Sequence, residues 1–164
     1  EKSFQDINDE LKSEIRDQLR NITPHFFERL VVELVVKMGY GGSLSDAGKA
    51  IGQSGDEGID GIIKEDKLGL EYIYIQAKRW KTSVGRPEVQ SFVGALHGKK
   101  ARKGIMITTS KFTKKAEEYV GKIETKVVLI DGTELTDLLL EYNIGVSSRE
   151  KYEIKEIDVD YFVE

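Results

Sequence analysis

Cysteine is absent from the 164 residues, and proline occurs only twice. Without cysteine there is no disulfide framework, no thiol nucleophile and no cysteine-ligated zinc or iron–sulfur centre. No apolar run approaches the roughly 20 residues of a membrane-spanning helix, and no signal-peptide pattern opens the chain. Histidine is scarce as well, with two residues and no spaced metal-ligand partner for either. What is present fits a folded domain: 39% hydrophobic residues are too many for a disordered chain, and 33% charged residues are too many for a membrane protein. The length suits one domain, expected in the cytoplasm. The first residue is Glu1 rather than Met, which suggests a piece of a longer protein.

The net charge of −4 conceals an uneven distribution. Residues 1–70 carry net −5, residues 71–126 carry +8, and residues 127–164 carry −7. A basic middle third either attracts a polyanion to one face or forms a solvated, lysine-rich helix surface; charge alone leaves both readings open.

Hydrophobic periodicity organises the chain. Residues 1–22 carry a thin stripe of Ile7, Leu11, Ile15 and Leu19, suited to a linker helix that docks loosely or joins a missing upstream domain. Thr23-Pro24 reads as a helix cap and first turn, followed by Phe27, Leu30, Val31, Leu34, Val35 and Met38 at helical spacing, with Gly39 as the stop. Residues 40–58 are rich in Gly and Ser and read as a loop. Two strand-like runs follow, Ile59 to Lys64 and Glu71 to Arg79, joined by turn residues 66–69. A helix opening at Val84-Gly85-Arg86-Pro87 presents Val89, Phe92, Val93 and Leu96. Gly104 to Thr109 and Val127 to Ile130 are short buried strands, and helices are expected from Thr113 to Val120 and from Thr133 to Tyr142. Residues 146–164 form an acidic extension, expected to pack on the same domain. Helices bracketing short apolar strands predict an α/β fold, three layers (α/β/α) around a central mixed sheet.

The hairpin carries the chemistry. Side chains alternate along a strand, so Tyr72, Tyr74, Gln76 and Lys78 share one face and Ile73, Ile75 and Ala77 the other. If residue 65 faces residue 70 across the turn, Asp60 lies across from Ile75 and beside Gln76. A carboxylate, an amide and an ammonium then meet, with Gly58 and Gly61 leaving room for a metal ion or a phosphate. The bland alternative is an exposed cross-strand ion pair worth under about 1 kcal/mol.

Several segments recur together and in order: Phe27-Glu28-Arg29-Leu30-Val31, Met38-Gly39-Tyr40, Gly58-Ile59-Asp60-Gly61, Gln76-Ala77-Lys78-Arg79-Trp80, Val84-Gly85-Arg86-Pro87-Glu88-Val89-Gln90, and Lys103-Gly104-Ile105-Met106-Ile107-Thr108-Thr109-Ser110. Over residues 23–145 they resemble the catalytic domain of the Mrr family of restriction endonucleases, a branch of the PD-(D/E)xK nuclease superfamily. The resemblance implies a restriction-endonuclease-like fold and hydrolysis of DNA phosphodiesters with Mg2+, or with Mn2+ as its substitute. Asp60 and Gln76 would be the metal ligands and Lys78 the electrostatic catalyst. Glu28 and Gln90 would be the accompanying polar residues. Glu28 lies at the edge of the apolar stripe of its helix at about 100° per residue, whereas Glu33 points away.

Two departures stand out. Ile59 replaces the superfamily's proline, which supplies no ligand, and Gln76 replaces its second acidic residue. A neutral amide binds Mg2+ less strongly than a carboxylate, which shifts the burden to Asp60 and Glu28.

The implied partner is double-stranded DNA, including methylated DNA, gripped by Arg79, Lys81, Arg86, Lys99, Lys100 and Arg102. An upstream winged-helix domain is implied for the longer protein, and a homodimer is an open alternative. Two other functions stay open: a non-catalytic DNA-binding or assembly module that keeps the fold, and a resolvase acting on branched DNA. His25 and His97 read as surface or capping residues and Ser110 as part of a strand-to-helix cap. Trp80 reads as a packing residue rather than a base-stacking one.

Overall fold

The computed structural model describes residues 3–41 and 58–164. The loop reading for residues 42–57 lies outside them. Four helices begin on side-chain caps that were legible in part from sequence. Helix α1 (Phe4–Asn21) starts at Ser3, α2 (Pro24–Lys37) at Thr23, whose hydroxyl accepts the Phe26 N–H at 3.1 Å, and α4 (Lys114–Val120) at Thr113. Helix α5 (Gly132–Glu141) starts at Asp131 and not at Thr133, because the Asp131 carboxylate accepts the Glu134 N–H at 2.9 Å. Helix α3 (Arg86–Gly98) enters through Gly85, whose N–H donates to the Glu88 carboxylate at 3.0 Å.

The strands are β1 (Gly61–Lys64), β2 (Tyr72–Lys78), β3 (Lys103–Thr108) and β4 (Lys126–Ile130), paired in the order β1-β2-β3-β4. The β1–β2 pair is antiparallel and the other two are parallel, giving the expected mixed sheet. One face packs Ile63, Ile75, Ile107 and Ile130 against α1, α2 and α5. The other sets Met106 and partly buried Tyr74 and Ile62 against α3 and α4. Among the described residues no helix is long and apolar enough to cross a membrane.

Three expectations are corrected. The hairpin register is displaced by one residue: Gly61, not Asp60, lies opposite Ile75. The cause is the turn. The Asp66 carboxylate accepts the N–H groups of Leu68, Leu70 and Glu71, and Glu65 N–H bonds to the Glu71 carbonyl at 2.9 Å, so residue 65 faces 71 and not 70. Second, the expected boundary at residue 22 is not a break in packing. Ile15 and Leu19 are buried in the same core as α5, with Lys12 bonded to Asp137 at 2.9 Å and Arg16 to Thr133 at 2.8 Å. Of the apolar side chains of α1, only Phe4 and Ile7 at its start are exposed. Third, the acidic extension does not pack beyond Val146: residues 147–164 are all exposed. Charged residues separate most of its apolar side chains, and this stretch pairs with no strand of the sheet.

Candidate active site

The two parallel pairs point the ends of β2, β3 and β4 in one direction, and antiparallel β1 starts at that same end. Asp60 immediately precedes β1, beside the Ile75–Gln76–Ala77 stretch of β2. The backbone locks it there, because Asp60 N–H donates to the Ile75 carbonyl at 2.8 Å and Asp60 Oδ2 accepts the Ala77 N–H at 2.7 Å. The carboxylate is thus tied to the Gln76–Ala77 peptide, between the two candidate site residues Gln76 and Lys78. Glu28, half-buried on α2, lies within hydrogen-bonding reach of it. Burial pushes the Asp60 carboxyl up from 3.8 to about 6; the Ala77 N–H opposes this, Glu28 adds to it, and the Lys78 ammonium opposes it.

Gln76 is 7% exposed. Its Nε2 donates to the Gly58 carbonyl at 2.6 Å, and since that carbonyl can only accept, the amide orientation is determined. Oε1 is therefore presented as an acceptor, and it is buried without a partner among the described residues. A buried, unpaired amide oxygen costs about 1–3 kcal/mol unless something supplies a positive partner. Lys78 Nζ sits 4.5 Å from the centroid of the Trp80 ring, a cation–π contact that holds the ammonium at the rim of the site. An open cleft is bounded by Gly58, Gln76, Lys78, Ser91 and Ala95.

The structure therefore gathers Asp60, Gln76, Lys78 and Glu28. Gln90 is exposed on α3, and that helix lines the cleft with Ser91 and Ala95 instead. Sequence reasoning assigned no role to the Ala77 N–H or to Ser91. Trp80 packs on the second core, as expected, but also positions Lys78. His25 Nδ1 lies 3.7 Å from Glu28, and His97 bonds Thr125 at 2.8 Å.

The expected basic surface is split. The Arg79 Nη1 donates to the Arg20 carbonyl at 2.9 Å, so this side chain anchors α1. Arg86 lies over the Tyr119 ring at 5.2 Å. Lys99, Lys100 and Arg102 precede β3, at the end of the sheet opposite Lys78 and Thr108; β3 alone puts roughly 17 Å between the two ends. Neighbours in sequence are parted because α3 runs back along the sheet.

Among the described residues no three His, Cys, Asp or Glu side chains are grouped to hold a metal. Here the oxygen donors are two carboxylates and one amide, a set that suits a hard cation such as Mg2+. The orphaned Oε1 of Gln76 is the observation in favour of that fit.

Gly58 has φ +79°, and a Cβ there would lie 2.3 Å from Gln76 Nε2. Gly58→Ala is expected to displace the Gln76 amide and lower cleavage about 100-fold, as a misplacement near 1 Å does, with a modest fall in melting temperature because alanine is strained at positive φ. Parallel rate and melting measurements check this, and a rate equal to the parent's would remove Gln76 from the site.

A family model described as a restriction endonuclease, Mrr_cat, matches residues 19–139. The chain is 43% identical over 162 residues to the type IV methyl-directed restriction enzyme EcoKMrr of Escherichia coli (strain K12), covering 99% of this chain and 52% of the relative. It thus spans about half the length of that relative. Among solved structures, the MspJI restriction endonuclease in complex with a 27-mer oligonucleotide superposes with a TM-score of 0.56 at 21% identity, over 92% of this chain and 39% of that one. The DNA modification-dependent restriction endonuclease AspBHI gives 0.59 at 18% identity, over 85% and 36%. At such identities the likeness is one of fold.

Proposed function

The chain belongs to the Mrr-type restriction endonuclease family, and from that premise we propose that it hydrolyses DNA phosphodiesters with a divalent cation, Mg2+ or Mn2+, as the catalytic part of a type IV, methyl-directed enzyme. The observation that carries the reading is the buried, unpaired Oε1 of Gln76 beside the raised Asp60 carboxyl, an arrangement that is costly for folding and useful for binding a cation. In this reading Asp60 and Gln76 hold the ion and Glu28 adds a neighbouring carboxylate. When bound, the ion supplies Lewis-acid polarisation of the phosphoryl group. Lys78 orients the attacking water and offsets the negative charge that develops as the phosphorus becomes pentacovalent. Trp80 keeps the ammonium in place through the transfer, and the Ala77 N–H keeps Asp60 aimed.

The retained carboxylates favour catalysis over a purely binding module, because a module that only held DNA would gain from losing negative charge next to phosphate. Plasmid DNA incubated with the chain and Mg2+ or Mn2+ is expected to be nicked or linearised, and chelator is expected to stop it. Salt-sensitive binding without cleavage, on methylated and unmethylated plasmid alike, would instead establish the non-catalytic reading.

A further inference from the structure

A second cavity, of about 560 Å3, opens at the same end of the sheet, and its cations come from parts of the chain far apart in sequence. Arg16 and Arg20 enter from α1, Lys81 from the segment after β2, and Lys111 from the segment after β3. Among the described residues no Asp or Glu lines it. Its floor is built tightly: Gly132 N–H donates to the Ser110 carbonyl at 2.8 Å, and a Cβ on Gly132 would lie 2.2 Å from the Thr109 carbonyl oxygen. Arg16 is held by its bond to Thr133 Oγ1, and Arg20 by Asp17 at 3.1 Å, while Lys81 and Lys111 are exposed. Trp80 is the wall shared with the candidate active site, since it lines this cavity and its ring carries Lys78 Nζ.

We propose that this cavity seats backbone phosphates of the DNA strand that flank the phosphodiester presented to Lys78, with Arg16, Lys81 and Lys111 as the phosphate-binding side chains. The proposal rests on the nuclease reading for its placement next to the scissile bond. Three features point to a strand rather than to a lone anion. The cations are spread over three segments instead of converging on one point. The cavity is several times the size of a phosphate group and open to solvent. Trp80, whose ring carries the Lys78 ammonium, also forms part of its lining. The positions outside strand carboxyl ends are where open α/β sheets bind ligands in general. Contacts to phosphate position the duplex without reading its sequence, so the cavity sets where the strand lies and not which bases it carries.

The test compares two triple substitutions of equal charge in the full chain. Arg16→Gln/Lys81→Gln/Lys111→Gln removes the cavity's cations, and Lys99→Gln/Lys100→Gln/Arg102→Gln removes those at the far end of the sheet. Binding of a fluorescent duplex is followed by anisotropy with chelator present over a range of salt, and cleavage is followed separately with Mg2+. Each phosphate that the protein ceases to neutralise lowers the slope of log affinity against log salt by about 0.9, so the cavity triple is expected to lower it by about 2 to 3 and the far-end triple by less than about 1. With Mg2+ the cavity triple is expected to raise KM more than it lowers kcat. Equal effects of the two triples, or an unchanged slope for the cavity triple, would overturn the proposal. If the cavity triple does not fold, the single exposed change Lys111→Glu gives the same comparison against Lys100→Glu. Cavity-dependent binding by a parent chain that cleaves nothing with either metal would sustain the phosphate site and sink the nuclease reading. Cleavage unaffected by the cavity triple would do the reverse.

Discussion

Lys78→Ala is expected to lower the rate of DNA cleavage about 100- to 1000-fold, the range for loss of one electrostatic stabiliser, while DNA and metal affinity change little. The split follows from position. Lys78 ends β2 at the mouth of the cleft, held over Trp80 rather than bonded into the core, and the donor atoms assigned to the ion belong to Asp60 and Gln76. Its charge matters most when negative charge accumulates on the transferring phosphoryl group, so kcat falls and KM hardly moves. Single-turnover rates at saturating Mg2+, set beside anisotropy binding in chelator, separate the two effects. Cleavage at the parent rate would defeat the mechanism. A matched loss of binding would make Lys78 a DNA contact only.

How far this site could be read from sequence depends on which physical rule places each residue. Alternation along Tyr72–Lys78 depends on local geometry alone, so the shared face of Gln76 and Lys78 was readable without a partner strand. Glu28 was readable for the same reason, from its angle on an amphipathic helix. The hairpin register was not, because it hangs on one side chain: Asp66 collects three backbone N–H groups and lengthens the turn by a residue. That single step pairs Gly61 rather than Asp60 with Ile75 and leaves Asp60 just outside the ladder, where its carboxylate accepts the Ala77 N–H. The basic surface failed at a longer range. Sequence neighbours such as Arg86 and Lys99 are separated by the length of α3, whereas Arg16 and Lys111, far apart in the chain, line one cavity at the end of the sheet. No periodicity within a window of ordinary length carries that information. Arg79 was misplaced because its partner is a backbone carbonyl of α1, which composition and charge do not reveal.

Asp60→Asn is expected to abolish cleavage and, in the absence of metal, to make the fold more stable. The carboxyl titrates near 6 in the folded chain against 3.8 as the ordinary value, so between those pH values the folded state holds more protons than the unfolded one. Stability then falls as pH rises from about 4 to 6, and above 6 the whole penalty is present. Burial is the largest cause and Glu28 adds like-charge repulsion, so the ionised Asp60 is a strained group awaiting a counter-charge. Allowing for solvent screening of a site that is partly open, its neutralisation is worth on the order of 1–2 kcal/mol at pH 7 to 8, or roughly 2–8 °C in Tm for a chain of this size. The amide oxygen of the substituted side chain can still accept the Ala77 N–H, so the bond that aims residue 60 survives. Melting curves from pH 4 to 8 with chelator should show the advantage of Asp60→Asn grow from near zero at pH 4 to its full value above 6. Added Mg2+ should raise the parent's Tm, since an ion that binds only the folded chain stabilises it, and should leave the variant's unchanged. A variant that is less stable than the parent at pH 8 in chelator would show that Asp60 is there to hold the hairpin together and not to receive a cation.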